Sequence, residues 1–426
     1  MDKIVALTKR RGFVYPSSSI YGGFGGFWDF GPLGVELKNQ IKKLWWDTFV
    51  RNRSDMYGLD SSIILNPKVW EASGHTGPGF ADPLRECKKC HHRFREEDLK
   101  KDSCPDCGGD LMSPRSFNIL VKTFIGSVED TKATAYLRGE TAQGIFINFK
   151  NIFDAFHPKL PFGIAQIGKA FRNEITPGNF FFRSREFEQM EIEYFVDPTL
   201  ATSEFEKWVK QVFDWFILLG LKKENLRFFK HPQEKLAHYS KATTDIEYKF
   251  PFGWSEFQGT ANRGDFDLMQ HSKYSGKELM YQFQDGKKIF PYVIEPSFGV
   301  ERLMLALLVD AYYEDTSNKR VVLKLSPKVS PYQVAVFPLL ANKPELVDKA
   351  QVVFNNLRKK YRVIFDGRGN IGKRYFAQDE IGTPYCVTVD FDTLEDNSVT
   401  VRDRDTTKQD RVSITKLDEY LNNKLF

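Results

Sequence analysis

The sequence predicts an α+β protein, in which helices flank an antiparallel sheet and a separate small α/β domain follows. Three observations carry this expectation. Short strand-patterned runs broken by glycine, proline and charge fill Phe117 to Tyr194, among them Phe162 to Gly168 and Glu186 to Phe195. From Pro291 to Ala311 a strand turns through Pro296-Ser297-Phe298-Gly299 into the apolar helix Val300 to Leu308, which must be buried. Beyond a polar link at Ser326 to Pro331 the pattern alternates: Val334 to Phe337, Arg362 to Phe365 and Tyr385 to Val389 read as strands, with helices at Glu345 to Arg358 and Lys373 to Glu380 between them.

The remaining elements follow in order. Gly34 to Val50 reads as an amphipathic helix, since Leu37, Ile41, Leu44, Trp45 and Phe49 recur at helical spacing after Pro32. An extended stretch reaches Ile63-Ile64-Leu65 and stops at Asn66-Pro67. The polar, cysteine-bearing stretch 85–114 reads as an insertion, and Leu200 to Leu221 as a helix. The expected division is therefore 1–326, carrying that insertion, and 331–426.

Composition narrows the class. At 426 residues the chain exceeds one ordinary domain of roughly 150 residues. Its 38 phenylalanines sit in a chain of mean hydropathy −0.42, which places apolar content in buried faces. No apolar run approaches the roughly 20 residues of a spanning helix, and Met1 to Arg10 lacks the apolar region of a signal peptide. A cytoplasmic protein with no membrane partner is expected. A net charge of +5 is compatible with a polyanionic partner without requiring one.

Four of the five cysteines form two pairs, Cys87/Cys90 and Cys104/Cys107, a spacing that suits a tetrahedral zinc site; free or redox-sensitive thiols are the alternative. His75 is a candidate for the mouth of a site. His91 and His92 read as solvated, and His157, His231, His238 and His271 as ordinary surface or partly buried residues.

Three segments gather arginines and carboxylates. In the first, Phe171-Arg172-Asn173-Glu174 and Phe182-Arg183-Ser184-Arg185-Glu186-Phe187-Glu188-Gln189-Met190-Glu191 flank a Pro177-Gly178 loop. Two strands so joined would set Arg172 opposite Phe187, an arginine for phosphate beside a flat apolar surface for a base. The second is Glu295-Pro296-Ser297-Phe298-Gly299-Val300-Glu301-Arg302, where Arg302 projects from a first helical turn. The third is Arg138-Gly139-Glu140-Thr141. Each alone reads equally as surface ion pairs; the combination is more specific.

Together these segments resemble the signature motifs of class II aminoacyl-tRNA synthetases, specifically glycyl-tRNA synthetases of the single-chain, homodimeric type. The resemblance spans almost the whole chain. Arg11-Gly12-Phe13-Val14-Tyr15-Pro16, Tyr21-Gly22-Gly23 and Phe30-Gly31-Pro32-Leu33-Gly34 are similar to the family's N-terminal region. Asn66-Pro67 resembles the end of motif 1, which builds the dimer interface, and Tyr332 to Phe426 resembles the anticodon-binding domain. General class II motif 3 has glycine where Ser297 stands, and the glycyl branch matches this chain there.

The resemblance implies roles. ATP, as its Mg²⁺ complex, would be held by Arg172, Asn173, Glu174, Phe182, Arg183, Ser184, Arg185, Glu186, Phe187, Glu256, Phe257, Gly299, Val300, Glu301 and Arg302. Within that set Arg172 and Arg302 are the catalytic pair: Arg172 would contact the α-phosphate, and Phe187 and Arg302 would sandwich adenine. Glycine would be held by Arg95, Glu140, Phe187, Glu188, Gln189, Met190, Glu191, Glu295, Pro296, Ser297, Phe298 and Gly299. Carboxylates there suit the ammonium group.

The activity so implied is attachment of glycine to tRNA(Gly) through glycyl-adenylate, by positioning and charge stabilisation without a covalent intermediate. Glycine has no smaller competitor, so exclusion by size suffices and no editing domain is expected. A catalytically silent relative, such as the mitochondrial DNA polymerase accessory subunit, need not retain Arg172, Glu174, Phe187, Glu256 and Arg302. Synthetases for proline, threonine or histidine are disfavoured by the acidic pocket and Ser297.

Overall fold

A computed structural model describes residues 1–77, 81–96, 99–127, 133–237 and 240–426; His238 lies outside them. Seven strands make the main sheet: β1 (Met56–Leu59), β2 (Phe162–Phe171), β3 (Glu186–Val196), β4 (Leu226–Lys230), β5 (Ala242–Phe250), β6 (Gly253–Gly264) and β7 (Tyr292–Gly299). Their spatial order is β4-β5-β6-β7-β3-β2-β1. Every pairing is antiparallel except β1 with β2, which is parallel.

Strand alternation gives the sheet two different faces. On one, Met190, Ile192 and Tyr194 of β3, Ile246 and Tyr248 of β5, and Ile294 and Phe298 of β7 enter the largest apolar core. Three helices cover that face: α1 (Pro32–Trp46), α3 (Ala201–Leu219) and α4 (Val300–Ala311), where α2 is the helix Ala142–Phe156 on the opposite face. The first of these was expected to run to Val50. It is α-helical only to Trp46 and continues as a π-helical turn, Asp47–Arg51. That wider turn sets Phe49 against Trp45, Trp208, Trp215 and Phe298.

The opposite face is graded. At one end Phe162, Ile164, Phe195 and Val293 pack under α2 in a second apolar core. Toward the other end β3 carries Glu193, Glu191, Gln189 and Phe187 in sequence, the last two lining an open cleft. The gradient arises because α2 covers only part of the face.

Residues Ala81–Glu86, Arg93–Arg95 and Arg115–Asn118 form a small three-stranded sheet around the cysteines. A mixed five-stranded sheet lies beyond the polar link, with order β9-β8-β10-β11-β12 for β8 (Val334–Pro338), β9 (Val363–Phe365), β10 (Tyr385–Val389), β11 (Ser398–Asp403) and β12 (Gln409–Ser413). β8 runs parallel to β9 and β10; the later pairs are antiparallel. Val336, Val387 and Val401 share a core with Leu346 and Leu421 of the flanking helices.

This sheet is joined to the rest through charge. Arg320 Nη1 lies 2.7 Å from Asp379 Oδ2, and Arg402 contacts both Asp379 oxygens at 2.9 and 3.0 Å. No helix among the described residues is long and apolar enough to cross a membrane.

Candidate active site

The uncovered part of the sheet face forms a cleft of about 380 Å³. Its outer floor is Arg172 and Phe187. β2 and β3 pair so that Ala170 faces Phe187, and the Arg172 N–H donates to the Arg185 carbonyl. Arg172 is therefore diagonal to Phe187 rather than opposite it, because the register of the two strands sets Arg172 level with Arg185. The diagonal still brings the guanidinium carbon to 5.6 Å from the Phe187 ring centroid. Arg172 Nε is anchored on the Gly139 carbonyl at 2.9 Å.

The far wall is Arg302, in the first turn of α4. Its guanidinium lies 4.7 Å from the Phe182 ring centroid, and Nη1 lies 3.2 Å from Glu256 Oε1. Glu256 reaches this wall through a bulge: Glu247 pairs with Glu256 and Ile246 with Gln258, which leaves Phe257 unpaired and buried in the core. Glu256 and Gly259, three apart, consequently line the same cleft.

Carboxylates crowd the inner end. Glu191 accepts from Ser297 Oγ at 2.7 Å, from the Thr141 N–H at 3.1 Å and from the Thr141 hydroxyl. Glu295 accepts from Arg263 Nη1 at 2.6 Å, while Arg263 also grips Asp267 through Nε and Nη2. Burial, reinforced by Glu191 and Glu140, pushes the Glu295 carboxyl up to about 8 although Arg263 opposes the shift. Burial and Glu140 likewise raise Glu191.

Glu140 behaves differently. Burial acts to raise it, but His75, Arg263 and Gln143 together hold it well below the usual carboxylate range. His75 Nε2 stands 3.2 Å from Glu140 Oε2, and its Nδ1 is 2.7 Å from Ser73 Oγ. The Arg138–Glu140 segment is fixed in turn by Arg138, which donates to the Lys169 and Ser61 carbonyls. That approach requires Gly168, where an added Cβ would stand 2.1 Å from Arg138 Nη2.

The expected residues divide by position. Arg172, Glu174, Phe182, Arg183, Ser184, Phe187, Gln189, Glu256, Phe257, Glu295, Ser297, Gly299, Glu301 and Arg302 line the cleft. Arg95 is held beside it, 3.4 Å from Glu174 Oε2. Asn173, Arg185 and Glu186 lie at its rim with other partners: the Asn173 N–H bonds the Ile119 carbonyl, Arg185 bonds the Glu174 and Gly25 carbonyls, and Glu186 pairs with Lys169. Met190, Phe298 and Val300 point into the core beneath. Pro296 is buried at a position opposite Thr260. Glu188 faces the same way as Met190 and pairs with Lys38 and Lys42, while Lys38 also meets Glu301 at 2.6 Å. A contiguous run along a strand sends alternate side chains away from the cleft, so the expected residues Glu188, Met190, Pro296, Phe298 and Val300 do not line it.

Several cleft residues escaped the sequence reading. Thr243 and Asp245 of β5 line it, and His231, expected to be ordinary, sits with Nε2 2.6 Å from Asp245 Oδ2. Burial and Glu256 push Asp245 up to about 6. The polar alternation Thr243-x-Asp245-x-Glu247 was a usable signal. Arg263 and Asp267 sit four apart across a strand-to-helix turn, a pairing that local pattern does not announce.

Outside the cleft the four paired cysteines converge. Cys87 Sγ is 3.5 Å from Cys107 Sγ, Cys90 Sγ is 3.6 Å from Cys104 Sγ, and all four sulfurs lie within 4.8 Å of one another.

Comparison with known proteins identifies the family. The family described as tRNA synthetase class II core domain (G, H, P, S and T) matches residues 125–311, and the anticodon binding domain family matches residues 333–424. The glycine–tRNA ligase of Thermobifida fusca is 52% identical over 454 residues, covering 100% of this chain and 98% of that protein. Those of Streptomyces coelicolor and Caldanaerobacter subterraneus are 52% and 50% identical, with the same shares covered. With such identity sustained from end to end through both matched regions, the chain belongs to the glycine–tRNA ligase family of class II aminoacyl-tRNA synthetases.

Proposed function

We propose that this chain joins glycine to ATP, as its Mg²⁺ complex, to give glycyl-adenylate and pyrophosphate, and then transfers glycine to tRNA(Gly). One observation carries the reading: β2, β3 and β7 set Arg172 and Phe187 at the outer end of one sheet face and Glu295 and Ser297 at the inner end of the same cleft, with Glu191 buried behind Ser297 and bonded to its hydroxyl. A nucleotide laid over the outer end therefore meets an amino acid held at the inner end.

In this reading Glu140, Glu191 and Glu295 hold the ammonium group, and a side chain on the amino acid would be excluded by size. The glycine carboxylate oxygen attacks the α-phosphorus; a P–O bond forms there as the bond to the bridging oxygen of pyrophosphate breaks. Arg172 neutralises charge on the α-phosphate, Arg302 does so near the departing phosphates, and Glu256 would hold the magnesium that accompanies them. A hydroxyl of the terminal tRNA ribose then attacks the glycyl carbonyl and AMP leaves. No side-chain nucleophile is needed, because the chain's contribution is orientation.

ATP–pyrophosphate exchange with each of the twenty amino acids tests the first step. Exchange supported by glycine alone is expected; equal exchange with alanine or serine would overturn the reading. Residues 331–426 are proposed to bind the anticodon arm, so loss of their tRNA contacts should lower charging far more than exchange.

The cysteine cluster is proposed to hold zinc. Sulfurs 2.3 Å from a tetrahedral Zn²⁺ are about 3.8 Å apart, close to the separations here. The Lys89 and Cys90 N–H groups also donate to Cys87 Sγ at 3.3 and 3.5 Å, which suits a thiolate. Zinc would cross-link the small sheet and take no part in the reaction. A reducing cytosol is proposed on the same ground.

A homodimer is proposed from the resemblance around Asn66-Pro67. In support, the neighbouring Ile63 and Ile64 remain exposed in the single chain. Light scattering at micromolar concentration should give twice the chain mass.

A further inference from the structure

Glu193 lies behind the acidic pit, and the mechanism above does not use it. Its exposure is 0%, and neither carboxyl oxygen has a hydrogen-bond partner among the described residues. Glu191 faces Ser297 and Tyr194 faces Ile294, a register that sets Glu193 across from Glu295 on the cleft side of the sheet. Oxygens of Glu191, Glu193 and Glu295 all lie within 4.8 Å of one another. The ladder is interrupted at this level, where Pro296 supplies no N–H.

The charges facing Glu193 are few and known. Glu191 shares its strand, Glu295 comes from β7, Arg263 from β6 and Asp267 from the helix Phe266–Ser275. Arg263 is already engaged by Glu295 and by both Asp267 oxygens. On its apolar side Glu193 meets the layer of Ile164 and Phe195 beneath α2. A third ionised carboxylate here would be desolvated beside two like charges and would drive Glu191 and Glu295 apart.

We propose that Glu193 is a positioning residue that stays a neutral carboxylic acid through the reaction and fixes Glu191 and Glu295 around the glycine ammonium. As an acid it fills the space between pit and apolar core without adding charge. Its single O–H can serve an acceptor-rich neighbour, while in the glycine complex the negative charge lies on Glu191 and Glu295. Burial first, and then Glu295, raise its carboxyl well above the usual range, in the same direction.

The inference rests on the glycine reading of the cleft, and the test separates the two. Wild-type enzyme without glycine-dependent exchange would remove that reading, whereas the state of Glu193 is read spectroscopically. An infrared difference spectrum of wild type against Glu193→Gln at neutral pH should contain a protonated-carboxyl C=O band lost in the variant. No such band, as an ionised or cation-bound Glu193 would give, overturns the proposal. In exchange assays Glu193→Gln, which copies the neutral acid, should change the glycine KM by less than about fivefold, and a larger rise overturns it. Glu193→Leu removes the donor at similar volume and should raise the glycine KM about tenfold or more with ATP KM nearly unchanged; equal KM values in folded Leu and Gln variants would also overturn it.

Discussion

The Arg302 guanidinium lies over the Phe182 ring, 4.7 Å from its centroid, whereas Phe187 is faced by Arg172 from the neighbouring strand. The cleft thus has two arginine–aromatic pairs, one on its floor and one on its wall, and each ring helps to orient a cation. The expected arrangement of Arg302 and Phe187 on opposite faces of adenine requires the base to enter between these pairs.

Replacing Arg302 by alanine should lower ATP–pyrophosphate exchange by about two orders of magnitude or more, because one charge-assisted phosphate contact and one face of the base disappear together. Phe182→Leu, which keeps the charge and removes the ring beneath it, should cost about tenfold, chiefly in ATP KM. Near-normal exchange by a folded Arg302→Ala variant would place the nucleotide elsewhere.

Proton linkage supplies a second expectation. Glu295 has its folded value raised from 4.5 to about 8, so the empty protein binds more protons than the unfolded chain between those values. Its contribution to stability is whole below about pH 4.5 and is lost as pH rises toward about 8. Glu140, with a depressed value, contributes above its unfolded value and drops out of the slope in this window. Melting temperature of the ligand-free protein should therefore fall with pH across the window, and Glu295→Gln should flatten the fall. Glycine brings an ammonium group that favours ionised Glu295, so its binding at pH 7 should release protons. Calorimetry in buffers of different ionisation enthalpy measures that release, and proton uptake would contradict it.

Metal content provides the third. Protein purified without chelator should carry about one zinc per chain, and Cys87→Ser combined with Cys104→Ser should release it. Arg95, at the end of the strand Arg93–Arg95 between the two cysteine pairs, meets Glu174 beside the cleft. Loss of zinc should accordingly raise ATP KM as well as loosen the segment to proteolysis. Protein that carries no zinc as purified would make the cluster a set of ordinary thiols, and unchanged kinetics after zinc loss would remove the link through Arg95.

Much of this was legible in the sequence because its signals were local. Alternation along Glu186–Phe195 gave β3, the Pro296–Gly299 turn led into α4, and the two cysteine pairs declared their convergence. Long-range relations were less legible. The register of Arg172 against Phe187 depends on where a loop closes, and the bulge at Phe257 cancels a two-residue period that the sequence alone would extend. Lys38 was hidden for a related reason: its helical position looks like a solvated lysine, but burial against Glu188 and Glu301 comes from the packing of α1 on α4. Alternation also explains why Glu188, Met190 and Phe298, inside recognisable motifs, point away from the cleft.

The last expectation concerns Asp379, on the helix Ile371–Ile381, which is 0% exposed and is shared by Arg320 before the polar link and Arg402 of β11. Asp315 also meets Arg320, at 2.8 Å, but Asp379 is the carboxylate that touches both arginines. Asp379→Ala leaves two buried cations facing each other without their shared anion, and should destabilise the protein by about 3–5 kcal/mol in denaturant unfolding. Because the three groups act as a unit, Arg402→Ala added to Asp379→Ala should cost less than the sum of the single changes; additivity would show that they do not. The cleft shares none of these residues. Under conditions where Asp379→Ala remains folded, glycine-dependent exchange should stay near wild type, while tRNA charging, which needs the second sheet held in place, should fall with a raised tRNA KM. Equal losses in both assays would mean that this network supports the cleft itself, and the division of labour across the polar link would have to be redrawn.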